Sequence, residues 1–219
     1  MPATIRLAEA GDAAAVAAIY APFCEATAVS FEDRAPSAAE MATRILGLVP
    51  RLPWLVLDAD GVIAGYAYAS QHRDRAAYGW AVDTSVYVAP EYRRGGVARA
   101  LYTTLFDVLR SQGYFKAYAG ITLPNPASVG LHEAVGFQAV GVYRGVGYKL
   151  GAWHDVAWYG QALQAERPDP AHPVPLTRIH GSPEWRDAVA RGLRYYRPGR
   201  ENVTRAGPAS AGDGPGSAG

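Results

Sequence analysis

The stretch Val86-Tyr87-Val88-Ala89-Pro90-Glu91-Tyr92-Arg93-Arg94-Gly95-Gly96-Val97-Ala98 carries the chemistry most readily read from residue type and spacing. A run of β-branched and aromatic residues passes through a Pro-containing turn into Arg-x-x-Gly-x-Ala, where a helical pattern opens. Such an arrangement is an anion cradle. The first N–H groups of a helix have no partners within it, and its dipole favours negative charge at that end. Small residues also let a pyrophosphate approach the backbone. Arg93 and Arg94 add full charges that steer an anion inward. Taken alone, the same residues also suit a plain strand-to-helix turn with two solvated arginines.

Other groups able to do chemistry are fewer. Arg73, Arg75 and Tyr78 lie in the polar run Gln71–Gly79, which reads as a loop between strands. Asp83 follows on the next strand, where it suits an ion pair with Arg73 or Arg75 as well as a proton-accepting role. Cys24 sits in a helical, apolar stretch and reads as core rather than as a nucleophile. His132 could join Asp83 and a serine in a hydrolase triad, but no G-x-S-x-G elbow is present. His72, His154, His172 and His180 have no metal-ligand spacing, so no metal is expected. Gly145-Val-Gly147 lacks the third glycine of a dinucleotide fingerprint.

These groups need elements to hold them. Thr4–Leu7 reads as a strand, and Asp12 as the cap of a helix with Val16, Ile19, Tyr20 and Phe23 on one face. Ser37 and Glu40 form a capping box ahead of Met41, Ile45 and Leu48, and Pro50 and Pro53 end that helix. Trp54–Leu57, the turn Asp58-Ala59-Asp60-Gly61 and Val62–Ser70 read as a hairpin. Trp80–Val88 is a further strand. A long helix from about Gly96 to Gln112 follows, with Leu101, Leu105, Val108 and Leu109 as its apolar stripe. Phe115–Ile121 is a strand, Ala127–Val135 a short helix, and Phe137–Tyr143 and Val156–Ala162 the last two strands. Hairpins mixed with crossing helices predict an α+β fold rather than a doubly wound parallel sheet.

From Glu166 the composition turns to Pro, Gly, Ala and Arg. The expected division is one domain over 1–165 and an extension over 166–219. The extension holds one short helix at about 183–196, with Trp185, Val189 and Leu193 as a docking face, and a disordered end over Gly207–Gly219. Among 219 residues, 21 Lys and Arg balance 20 Asp and Glu, a net charge of +1. That balance lacks the basic excess phosphate-backbone binding demands, so no nucleic-acid partner is expected. No apolar run approaches the length of a membrane span, and the start has no basic-then-apolar leader pattern. One cysteine excludes an internal disulfide and fits a reducing, cytoplasmic setting.

The strand–loop–helix with Arg93-x-x-Gly96-x-Ala98 resembles the acetyl-CoA-binding motif of the GCN5-related N-acetyltransferase (GNAT) superfamily. Asn125-Pro-Ala-Ser128 through Leu-His132-Glu-Ala-Val-Gly136-Phe137 is similar to that superfamily's N-x-x-[AS]-x-x-x-Y-x-x-x-G-[FY] segment, with His132 where many members carry tyrosine. Within it, the phosphinothricin N-acetyltransferases and related amino-acid N-acetyltransferases share Leu-His-Glu-Ala-x-Gly. They also share the arrangements seen here as Tyr148-Lys149-Leu-Gly151-Ala-Trp153-His154-Asp155-Val156, Tyr20-to-Phe31 and Pro53-Trp54-Leu55-Val56. The resemblance runs from about Thr4 to Leu163 and leaves the extension outside.

The resemblance implies a mixed, mostly antiparallel sheet with splayed strands and flanking helices. It implies acetyl-CoA as cosubstrate, held by Val86, Tyr87, Val88, Arg93, Arg94, Gly95, Gly96, Val97, Ala98, Asn125 and Ser128. Arg73, Arg75, Tyr78 and Phe31 would contact an amine-bearing acceptor of the phosphinothricin or methionine sulfoximine type, Arg73 standing where the family has lysine. Asp83 replaces the family's glutamate as the base, direct or through water, because only an unprotonated amine attacks a thioester. A backbone N–H near Tyr87-Val88 would stabilise the developing oxyanion. His132, with Tyr102, would supply the proton to the leaving thiolate. A cytoplasmic homodimer with a detoxifying role, such as herbicide resistance, is the implied setting. Turnover of ordinary L-amino acids or other small amines, and CoA binding without turnover, are the alternatives.

Overall fold

A computed structural model describes residues 3–198. In chain order it contains β1 (Thr4–Leu7), α1 (Ala13–Glu25), α2 (Ala38–Leu48), β2 (Trp54–Ala59), β3 (Val62–Gln71) and β4 (Ala81–Val88). There follow α3 (Val97–Gln112), β5 (Lys116–Thr122), α4 (Pro126–Ala134), β6 (Gln138–Lys149), β7 (Ala152–Ala162) and α5 (Pro183–Leu193). One seven-stranded sheet runs β1-β2-β3-β4-β5-β7-β6. All its pairs are antiparallel except β4 with β5. That parallel pair spans only Ala81–Asp83 against Lys116–Tyr118, after which the strands diverge.

Helices cover both faces. α1 and α2 pack over Trp54, Val56 and Tyr66, and α3 packs over Leu55, Ala67 and Val82 on the other side. The α3 stripe expected from spacing (Leu101, Leu105, Val108, Leu109) is fully buried, and each such side chain contributes about 1.5–3 kcal/mol of burial. α5 lies on α3 through buried Trp185 and Ala188, and Thr104 donates to the Ala188 carbonyl. A Cβ on Gly192 would meet Thr104 Oγ1 at 2.1 Å, so only glycine permits this approach. The extension's helix ends at Leu193 rather than near 196. The expectation for Gly207–Gly219 lies outside the described residues.

Three local expectations are corrected. The Asp12 carboxylate does not cap α1: it accepts from Arg6 and from the Glu9 N–H instead, tying β1 to the start of the helix. The β2–β3 hairpin is tighter than a four-residue turn, with Asp60 and Gly61, both at positive φ, as its two loop residues. β6 and β7 extend well past Tyr143 and before Val156, meeting at Leu150-Gly151. Gly145 and Gly147 break the apolar alternation there, and a register shift between Tyr143 and Gly147 absorbs the irregularity. The Ser37–Glu40 capping box is present in both directions, with Glu40 N–H donating to Ser37 Oγ and Ser37 N–H to Glu40.

Candidate active site

The divergence of β4 from β5 opens a wedge. Residues 84–87 line one wall and 119–122 the other, with Tyr102, Asn125, Ser128 and His132 at the end nearest α3 and α4. Thr84 Oγ1 donates to the Tyr118 carbonyl at 3.2 Å, bridging the strands where their ladder stops. The Ala89 N–H bonds the Ala64 carbonyl, and Tyr66 faces Tyr87 in the same phase of the ladder. Antiparallel pairs alternate, so the Tyr87 amide points to β3 while those of Val86 and Val88 point into the wedge. The free N–H groups thus flank Tyr87 rather than include it. The Tyr87 ring instead packs against Tyr20, Phe23 and Tyr66.

The wedge continues into a groove of about 440 Å³ at the start of α3. Val86, Tyr87, Val88, Arg93, Arg94, Gly96, Val97, Ala98, Asn125 and Ser128 all line it. Gly96 caps α3 without a side chain, which leaves the N–H groups of the first turn free for an anion. Arg93 is steadied over the Phe23 ring at 5.9 Å, and Asn125 caps α4 by accepting from the Ser128 N–H at 3.1 Å. Gly95 is not part of this lining; its carbonyl accepts from the Arg197 N–H at 2.8 Å. These donors and charges fit the diphosphate and amide-rich arm of a CoA thioester.

Asp83 occupies the last β4–β5 pair, at the apex of the wedge. Its partner is His72, which donates from Nδ1 to Asp83 Oδ1 at 2.7 Å, while Arg73 stands 3.9 Å from the other oxygen. Burial pushes the Asp83 carboxyl above its usual range, against the opposing pull of the His72 hydrogen bond and the His72 and Arg73 charges. His72 stacks on Tyr118 and meets Tyr78 edge-on, and Arg73 lies over Trp158. Arg73 therefore stands beside the carboxylate, and Tyr78 beside the imidazole that holds it. Arg75 instead lines a neighbouring hollow with Arg51, Asp74, Tyr114 and Tyr78 itself. Sequence reading missed His72. Its signal is register: Ser70 pairs with Asp83, so a side chain just beyond the end of β3 returns to the same place.

His132 is buried, and its Nδ1 donates to the Ser128 carbonyl at 2.7 Å. That bond fixes the tautomer, so Nε2 accepts from the Tyr102 hydroxyl at 2.9 Å. Burial pushes His132 below its usual pKa and Tyr102 well above. The imidazole is then a neutral acceptor, so of the two groups expected to supply a proton, the Tyr102 hydroxyl holds the one on this hydrogen bond.

The loop from α1 to α2 covers the wedge, with Val29 lining both it and the groove. Lys149 staples this loop. Its buried ammonium donates to the carbonyls of Cys24, Ser30 (2.6 Å) and Glu32 (2.7 Å). Phe31 reaches across to β6, where a Cβ on Gly147 would sit 2.2 Å from its ring. Cys24 is fully buried beneath the loop.

The fold and this site define an acetyltransferase. Residues 5–158 match the acetyltransferase (GNAT) domain family, and the chain belongs to it. It is 41% identical over 179 residues to a phosphinothricin N-acetyltransferase of Streptomyces viridochromogenes, covering 81% of this chain and 97% of that one. It is 34% identical over 160 residues to an L-methionine sulfoximine/L-methionine sulfone acetyltransferase of Salmonella typhimurium, covering 71% and 91%. The structure is similar to a phosphinothricin acetyltransferase from Sinorhizobium meliloti solved with acetyl-CoA: TM-score 0.72, 32% identity, 80% and 99% covered. Among the described residues, no three His, Cys, Asp or Glu side chains form a group able to hold a metal, and no helix is long and apolar enough to cross a membrane.

Proposed function

We propose that this chain moves the acetyl group of acetyl-CoA directly to the amino group of a small amino-acid-like acceptor of the phosphinothricin or methionine sulfoximine type. The observation that carries the reading is Asp83 at the apex of the wedge, raised in pKa by burial and held by His72, beside a groove lined with free amides. Asp83 takes the proton of the incoming amine, directly or through a water. Arg73 offers a planar fork to the acceptor's carboxylate, with Tyr78 beside it; Phe31 borders the acceptor from the covering loop. The Val86 and Val88 amides face the carbonyl oxygen of the thioester, and Tyr102, which lines the wedge beside His132, turns its hydroxyl proton from His132 to the departing sulfur. Holding both reactants in register supplies the larger part of the acceleration, about 7–11 kcal/mol in well-oriented systems.

The names of the relatives support the acceptor class. A screen of thiol release at fixed acetyl-CoA, comparing phosphinothricin, methionine sulfoximine and the common L-amino acids, tests it. Preference for the two analogues is expected; preference for ordinary amino acids would move the acceptor, and no release at all would leave a CoA-binding module. A cytoplasmic homodimer belongs to the same reading. Exposed Val140, Tyr148 and Trp153 on the β6–β7 hairpin, with β6 at the sheet edge, support self-association. Light scattering that finds only monomer overturns that part. We take residues 1–165 as the catalytic unit and 166–219 as an extension.

A further inference from the structure

The loop that opens α3 has two sides. One faces the groove. The other is covered by the segment after α5: the Arg197 N–H donates to the Gly95 carbonyl at 2.8 Å, and a Cβ on Gly96 would meet the Tyr195 carbonyl oxygen at 1.9 Å. Gly96 also has φ +79°, so two independent constraints exclude a side chain there. The smallness of this loop thus serves the approach of the chain's own extension as well as that of an anion. The Tyr195 ring stacks under the Arg99 guanidinium at 4.2 Å, and Arg99 is a groove-lining residue. Tyr195, Tyr196 and Arg197 are absent from the groove lining, so the strap backs the loop and leaves the seat open.

The strap is itself anchored. α5 is held to α3 by the Gly192 approach, the Thr104–Ala188 hydrogen bond and an Arg191–Asp107 ion pair of 2.8 Å. Residues 195–197 then run from that anchor to the first turn of α3. None of them falls within residues 5–158, the part matched by the acetyltransferase domain family.

We infer that Tyr195–Arg197 form a positioning strap for the CoA diphosphate: they hold the Gly95–Gly96 backbone and the Arg99 side chain in the geometry that binds the cosubstrate, without touching either substrate. This rests on the acetyltransferase reading above. A loop whose Gly95 carbonyl is fixed from behind presents its amides pre-ordered, so binding loses less conformational entropy. The cost of removing the strap falls on acetyl-CoA affinity. The acceptor side, built from β3, β4 and the α1–α2 loop, is left alone.

Two pairs of full-length variants test this. Arg197→Pro and Arg197→Ala both lose the side chain, but only the first loses the N–H. Tyr195→Ala loses the ring under Arg99, and Tyr195→Phe restores it. Calorimetric titration with acetyl-CoA, together with steady-state kinetics, is expected to give a Kd about three- to ten-fold weaker for Arg197→Pro than for Arg197→Ala, the scale of one hydrogen bond. The same direction is expected for Tyr195→Ala against Tyr195→Phe, with kcat and acceptor KM moving less than two-fold within each pair. Should Arg197→Pro fail to fold, the tyrosine pair carries the test. Equal Kd values within both pairs, or an acceptor KM that rises in step with the acetyl-CoA Kd, overturn the strap. Failure of the unsubstituted chain to bind acetyl-CoA overturns the acetyltransferase reading with it.

Discussion

His72 Nδ1 and Asp83 Oδ1 lie 2.7 Å apart, joining the end of β3 to the last residue of β4 that still pairs with β5. The bond does two opposed things: it orients the carboxylate, and it lowers a pKa that burial raises. Asp83→Asn keeps the shape and removes the proton acceptor. We expect kcat to fall about 10²- to 10⁴-fold with acetyl-CoA binding retained, measured by thiol release and calorimetry.

The same pair predicts a pH shift. With Asp83 as the proposed base, activity needs its ionised form, so kcat/KM should fall as pH drops through the raised carboxyl pKa. His72→Phe keeps a ring against Tyr118 but deletes the hydrogen bond and charge that pull the pKa down. The acid limb of the profile should therefore move to higher pH. A limb that stays put or moves lower refutes the coupling.

Stability should run against activity. A carboxyl whose folded pKa is raised stabilises the fold below its unfolded pKa and loses that contribution as pH rises through the folded value. Ionised Asp83 is thus a cost at neutral pH. Asp83→Asn should melt at a higher temperature than the parent at pH 7, and the gap should close as pH approaches the ordinary carboxylate range.

The Tyr102–His132 hydrogen bond gives a separate expectation. With Nδ1 committed to the Ser128 carbonyl, Tyr102→Phe leaves Nε2 buried without its donor, at a cost of about 1–3 kcal/mol. Denaturant midpoint and kcat should both fall. A variant that loses stability but keeps kcat would remove Tyr102 from proton delivery.

How much of this was legible beforehand depends on the range of the interaction. The capping box at Ser37, the α3 stripe and the existence of the β2–β3 hairpin follow from neighbours within a few residues, and spacing reveals them, though not that the turn is only Asp60-Gly61. Arg93 to Ala98 and Asn125 to Ser128 are legible as motifs, and the fold brings both, all but Gly95 and Pro126, to one groove. What spacing could not carry is contact across strands. His72 reaches Asp83 through β3–β4 register, and Arg197 reaches Gly95 across a long stretch of sequence. The β6–β7 hairpin was underestimated because Gly145 and Gly147 interrupt its alternation, and the packing reason for Gly147 lies on Phe31, far back in the chain. The direction of the His132 proton depends on a backbone carbonyl, which residue type does not encode.

That packing yields the last prediction. Phe31 and Gly147 are in contact so close that a methyl group on Gly147 would sit 2.2 Å from the ring, a distance no relaxed pair of carbons holds. Gly147→Ala must therefore displace the Phe31 ring from its place across β6. On the proposed reading the Phe31 ring, 41% exposed, borders the acceptor, so the displacement should raise acceptor KM by about ten-fold or more, the scale of small misplacements near a reacting centre. Overpacking should also lower stability, by less than the roughly 1–3 kcal/mol of a core clash because the exposed ring can swing aside. Trimming the ring as well, in Phe31→Ala/Gly147→Ala, removes the clash but not the need for the ring. Stability should then recover relative to Gly147→Ala while acceptor KM stays high. That split, read from a double-mutant cycle in both denaturant midpoint and KM, separates a packing role for Phe31 from an acceptor-binding one; recovery of both quantities together would leave Phe31 with packing alone.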